Sequence, residues 1–244
     1  SAHKRKPRSE GRLPRNAAPI SLTISHIGGR GDGVGNVWYT HNYTDAEYSV
    51  FVPASLPGET IIAQPISISK QGIKARMVEL IDAAPTRQLP QCNAFPTCGG
   101  CSLQHWAATE IEAWKHQLIG AHLDRARVTA GSIRPTLTSP LNSRRRASFH
   151  VRQLADTAVV GFYERMGSHI VDPDGCTIID RRLASLKNAL SALATTHLPV
   201  GASLEAQVNL LTTDHTATQS GLCVYLQNTS TQPLWTPDLI TQLC

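Results

Sequence analysis

Cys92, Cys98 and Cys101 stand within ten residues of one another in Cys92-Asn93-Ala94-Phe95-Pro96-Thr97-Cys98-Gly99-Gly100-Cys101, and Cys176 follows much later in Asp172-Pro173-Asp174-Gly175-Cys176. Three closely spaced thiols, a Gly-Gly pair that lets the backbone fold tightly between two of them, and one distant thiol to close the shell make the pattern of a four-cysteine metal or iron-sulfur site. Buried thiols or disulfides are the plainer alternative. The N-terminus lacks the apolar core of a secretory signal and no stretch is apolar enough to span a bilayer, so the expected compartment is the reducing cytosol, where thiolates are open to metal. Zinc suits four thiolates as well as iron does. Zinc ribbons, however, bring two pairs at C-x2-C spacing, and only Cys98 and Cys101 form such a pair.

These cysteines must be positioned by the elements around them. Residues 20 to 82 read as short strands broken by turns: Leu22, Ile24 and His26 alternate with polar residues, and β-rich runs follow at residues 48 to 53, 60 to 63 and 75 to 81. Many short strands without a helical period predict a small β-barrel. The glycines between Gly29 and Gly35 fall at every second position, which does not satisfy G-x-G-x-x-G, so a glycine-rich hairpin is expected there rather than a nucleotide loop. Pro85, Pro90 and Pro96 mark the passage into the cysteine loop.

A helix is expected over residues 110 to 125, with Thr109 and Glu112 spaced as a capping box and Ile111, Trp114, Leu118 and Ala121 on one face. Ala147, Phe149 and Val151 then alternate into a hairpin that turns at Asp156-Thr157 and returns through residues 158 to 163. A second helix is expected over residues 181 to 196 on Leu183, Leu186, Leu190 and Leu193, followed by strands at 204 to 211 and 222 to 227 around a turn at Thr213-Asp214. Helices mixed with antiparallel strands after Cys92 predict an α+β domain.

The formal charge of +5 resides in the first fifteen residues, where Lys4, Arg5, Lys6, Arg8, Arg12 and Arg15 oppose Glu10 alone. Residues 1 to 17 therefore read as a basic disordered tail, either simply solvated or touching phosphates by charge. Any nucleic-acid surface on the folded part must rest on placed residues. Arg144, Arg145 and Arg146 are the first candidates, with Lys70, Lys74 and Arg76 on the barrel as a second patch, because arginine offers a planar fork for phosphate. A solvated charged face is the competing explanation, and strand alternation would let at most two of the three arginines face one ligand. His105 and Trp106 are expected either to pack over the cysteine site or to stack on an unpaired base.

In order along the chain, Gly31-Asp32-Gly33-Val34-Gly35, Phe51-Val52-Pro53, Leu56-Pro57-Gly58-Glu59, Cys92 through His105, Arg144-Arg145-Arg146-Ala147, Gly161-Phe162, Ser168-His169 and Cys176 resemble the N-terminal portion of the bacterial 23S rRNA (uracil-5-)-methyltransferases, S-adenosylmethionine-dependent enzymes of class I. The resemblance implies an OB-like RNA-binding β-barrel called TRAM over residues 18 to 83. It implies an iron-sulfur and central α+β domain over residues 84 to 244, incomplete at its C-terminus, and it favours a 4Fe-4S cluster on Cys92, Cys98, Cys101 and Cys176. Ser143 stands where many relatives carry an aromatic residue, and Cys223 and Cys244 match no ligand position. That family's chemistry needs a cysteine that adds to uracil C6 to activate C5, a base that removes the C5 proton, and a glycine-bearing loop for S-adenosylmethionine. No residue here takes those roles, so the Rossmann-like catalytic domain is expected to be absent and the chain inactive alone. The expected function is RNA binding and cluster binding within an enzyme of ribosomal RNA. A stand-alone RNA-binding iron-sulfur module and a zinc-ribbon adaptor are the alternatives.

Overall fold

A computed structural model of the chain describes residues 11–41, 44–172, 174–212 and 220–229. The chain divides into two compact units, one formed by Ser1–Leu89 with Ser102–Leu137 and the other by Pro90–Cys101 with Thr138–Cys244.

The first unit holds a six-stranded sheet of β1 (Ile20–Thr23), β2 (His26–Ile27), β3 (Gly33–His41), β4 (Thr44–Val52), β5 (Thr60–Ser69) and β6 (Gly72–Asp82), in the order β1-β5-β6-β4-β3-β2. All pairs are antiparallel except β4 with β6. Period-two patterning turns Ile61, Ala63, Ile73 and Ala75 into a core shared with Leu22, Ile24, Val50 and Val52. Pro65 interrupts β5 at a register shift against β6, the kind of place where a strand tolerates a residue without an N–H.

The glycine run does form a hairpin, but for two different reasons. Gly31 takes a positive φ of 88° in the turn, where Gly28 N–H donates to the Asp32 carbonyl at 2.8 Å. Gly33 and Gly35 instead lie inside β3, where an added Cβ would come within 2.1 Å of Ser55 Oγ and 2.5 Å of the Thr23 carbonyl oxygen. The alternation expected through His26 breaks after Ile24, because His26 is exposed and Ile27 is buried. Leu13, expected within the tail, is buried and its N–H donates to Ile66 O at 2.9 Å, so the chain already pairs on β5 before residue 17. Residues 1–10 lie outside the described residues.

Helix α1 (Ala108–Arg125) groups with this sheet and not with the cysteines. Ile111 and Trp114 pack on Ile27, Leu56, Ala84 and Trp106, and Trp114 Nε1 donates to Ile27 O at 3.3 Å. None of Ile111, Trp114 and Leu118 is fully buried, and Ile119 is exposed. The expected capping box is not formed: Ala107 is the N-cap, without a side-chain cap bond, which puts Thr109 inside the first turn.

The second unit is a five-stranded antiparallel sheet of β7 (Arg146–Gln153), β8 (Ala158–Tyr163), β9 (Ile170–Val171), β10 (Ser203–Thr212) and β11 (Ser220–Asn228), ordered β11-β10-β7-β8-β9. Helix α2 (Arg181–His197) covers one face, burying Leu183, Leu190 and Ala194 against Phe149, Val151, Val160, Leu204, Ala206 and Val208. Each buried leucine contributes about 1.5–3 kcal/mol. Asp180 caps the helix by accepting from Arg182 N at 2.9 Å. The turn expected at Thr213-Asp214 lies outside the described residues.

Candidate functional site

All four candidate ligand cysteines belong to the second unit and none forms a disulfide. Cys92 and Cys98 are buried, Cys101 and Cys176 half-buried. The loop that carries three of them is a run of tight turns, with Phe95 N–H on Cys92 O at 3.0 Å and Cys98 N–H on Ala94 O at 2.7 Å. It is tied to the end of β8: Cys98 bridges Glu164, and Gly99 N–H donates to Tyr163 O at 2.8 Å. A Cβ at Gly99 would meet that Tyr163 oxygen at 2.8 Å, so only glycine fits the approach.

Arg165 holds the loop from beneath. Its guanidinium donates to the carbonyls of Cys101 at 2.7 Å, Phe95 at 3.2 Å and Cys98 at 3.4 Å, and lies 4.9 Å from the centroid of the Phe95 ring. Nothing in the spacing of the cysteines pointed to this arginine. Cys176 arrives from the other side, packed against the core that contains Phe149 and Val160, in a segment whose continuation pairs with Asn142 and Arg144.

Burial raises the Cys98 thiol, and the neighbouring Cys92 and Cys176 sulfurs raise it further, against the Gly100 N–H and the Arg165 charge. A buried thiol beside two others resists losing its proton. Among the described residues no three His, Cys, Asp or Glu side chains gather closely enough to hold a metal ion.

Arg144, Arg145 and Arg146 are all exposed and together line an open groove of about 810 Å³ with Asn209, Leu210, Leu211 and Cys223. Strand alternation was expected to limit them to two. Only Arg146 lies in β7, however, and Arg144 and Arg145 precede it. Cys223 is an exposed thiol on this groove, while Cys244 lies outside the described residues. In the first unit Lys74 and Arg76 project from the exposed side of β6, with Lys70 in the turn before it. Of these, Lys74 lines a recess of about 280 Å³ with Gly28, Gly29, Arg30 and Asp32, so Arg30 is a basic neighbour that sequence reading passed over.

His105 and Trp106 are buried within the first unit. Trp106 packs on Trp114 with ring centroids 6.3 Å apart and donates to Thr86 Oγ1 at 3.2 Å, so it is core and cannot stack on a base. Exposed aromatics occur instead at Trp38 and at Tyr163 and Tyr225 of the second unit. Their signal was the same strand alternation, read on the face opposite the core. His150 stacks on Tyr163 with centroids 3.9 Å apart, and partial burial lowers its pKa against the opposing charge of Glu205, which leaves a neutral ring at pH 7.

No family model matches the chain. Curated proteins related to it carry the name of RNA methyltransferases. An uncharacterized RNA methyltransferase of Caulobacter vibrioides is 35% identical over 175 residues, which is 71% of this chain and 39% of that protein. One from Brucella melitensis is 32% identical over 177 residues, again 71% of this chain and 39% of the relative. The chain therefore spans about two fifths of the length of the relatives it matches. Among solved structures, the tRNA (uracil-54, C5)-methyltransferase of Pyrococcus abyssi, in complex with S-adenosyl-L-homocysteine, is 18% identical with a TM-score of 0.49, over 88% of this chain and 49% of that one. Among the described residues no helix is long and apolar enough to cross a membrane.

Proposed function

We propose that this chain is the RNA-recognising, cluster-bearing part of a cytosolic S-adenosylmethionine-dependent RNA (uracil-5-)-methyltransferase that acts on ribosomal RNA. The six-stranded sheet is its OB-like TRAM element, and Cys92, Cys98, Cys101 and Cys176 ligate a 4Fe-4S cluster. Methyl transfer and the S-adenosylmethionine site are assigned to parts of the whole protein outside these residues. The relatives named RNA methyltransferases support the class.

What supports the cluster reading is that the fold gathers Cys176 into the same compact unit as Cys92, Cys98 and Cys101, within electrostatic reach of Cys98 although far from it in sequence. The group itself would supply a rigid link between the loop and the Cys176 turn. Arg165 and the Gly100 N–H orient the loop and offset thiolate charge.

Anaerobically purified protein is expected to be brown, with close to four irons and four sulfides per chain. Cys98→Ser and Cys176→Ser should each remove the iron. A colourless protein with one zinc would overturn the cluster. The chain should also bind structured RNA with an affinity that falls as salt rises, and Arg144→Ala/Arg145→Ala/Arg146→Ala should weaken it. No binding at any salt would overturn the RNA assignment.

A further inference from the structure

The five-stranded sheet of the second unit has one face under α2 and a second face whose outward side chains range from half-buried to exposed. Strand register places its outward side chains in rows. Gln207 of β10 stands between Tyr225 of β11 and Ser148 of β7, and Asn209 stands between Cys223 and Arg146. His150, one row along, meets Tyr163 of β8 in the ring stack. Tyr225 is 58% exposed and Tyr163 41% exposed, and Arg146 and Arg152 project from the same face of β7.

A solvated sheet face is ordinarily built from small polar and charged residues. Two exposed tyrosines, one of them already held flat against a histidine, add nothing to the core and offer planar rings to solvent. Tyr225 and Tyr163 lie three strand spacings apart, roughly 14 Å, which is wide enough for a short unpaired segment to lay more than one base across the sheet. The groove lined by Arg144, Arg145 and Arg146 opens at the end of this face where Asn209 and Cys223 sit, so the phosphates flanking such bases would meet positive charge.

We infer that this outer sheet face is a base-stacking platform for single-stranded RNA, with Tyr225 and the His150–Tyr163 stack receiving unpaired bases and Arg146 and Arg152 their flanking phosphates. The inference rests on the RNA reading above and deepens it. The ligand is a single strand because the rings in a duplex are already stacked on one another.

The full chain is titrated by fluorescence anisotropy against a labelled single-stranded RNA 10-mer and against a duplex of the same length. Tyr163→Ala and Tyr225→Ala should each weaken single-strand binding about tenfold and leave duplex binding within about twofold, with Tyr→Phe at either position retaining most of the affinity. Tyr225 projects from a strand at the edge of the sheet, so its variant reads the platform even if Tyr163→Ala unfolds, which circular dichroism would show. Single-strand binding unchanged in Tyr225→Ala, while the triple arginine variant is weakened, would overturn the platform and spare the RNA reading. A parent chain that binds neither RNA would overturn both.

Discussion

Among the described residues Glu59 is the one carboxylate that is fully buried. It accepts from Leu56 N–H at 2.8 Å, Ala84 N–H at 3.3 Å and the Arg87 guanidinium, Nη2 at 2.8 Å and Nε closer still. Arg87 also reaches Ala54 O at 2.8 Å, so one carboxylate clips the β4–β5 loop to the segment that leaves β6. Glu59→Ala leaves the Leu56 N–H buried without its acceptor and Arg87 without its counter-ion. Breaking a buried pair costs about 3–5 kcal/mol, and the partial exposure of Arg87 places this case near the lower end. A loss of about 3 kcal/mol corresponds to a melting point lower by roughly 10 °C, read by circular dichroism.

The partner variant should show the opposite pH dependence. Burial alone would raise the Glu59 carboxyl, but the Arg87 hydrogen bonds and charge, with the N–H groups of Leu56 and Ala84, outweigh it and hold it below its usual 4.5. In the parent this group therefore stabilises fully above about pH 4.5, and that contribution is lost as pH falls through the lowered value. Arg87→Ala removes two of the lowering causes and leaves burial, the largest single one, opposed only by the Leu56 and Ala84 N–H groups, so the folded-state value is expected to rise above 4.5. Its melting point should then decline as pH rises through the lifted value, where the parent is flat. A Glu59→Ala protein that melts within about 2 °C of the parent, or an Arg87→Ala protein with no such decline, would refute the reasoning.

Arg165→Ala removes three carbonyl bonds from the cysteine loop, so if the proposed cluster is held there, iron should be lost to a chelator several-fold faster than from the parent, followed by visible absorbance. Asp180→Ala should cost about 1 kcal/mol of stability through the lost cap of α2, measured in denaturant. The Arg182 hydrogen bonds hold Asp180 down at about 2, so the parent's cap should persist above pH 4 and weaken only as pH falls toward that value. If the chain binds RNA as proposed, deleting residues 1–10 should reduce the salt dependence of binding without abolishing it, measured by anisotropy over a salt series.

Local patterning was sufficient for much of the second unit. Phe149 and Val151 alternate and Leu183 and Leu190 recur at helical spacing, so β7 and α2 could be placed from side-chain periodicity alone. Type and spacing make the four cysteines candidate ligands, and the fold adds only that all four belong to one compact unit. Partners distant in sequence were decided only by tertiary contacts. Thr109 and Glu112 have capping spacing, yet Ala107 starts α1, its carbonyl accepting from Glu110 and Ile111 N–H and its own N–H held by Thr86 O. Trp106 could have been a stacking surface until Trp114 and Ala84 enclosed it. Strand register, set between β7, β8, β10 and β11, is what gathers His150, Tyr163 and Tyr225 on one open face. Arg165 became part of the cysteine site only because the end of β8 lies against the loop. A sequence determines which faces of its elements are apolar, but pairing and packing decide which of the remaining side chains meet.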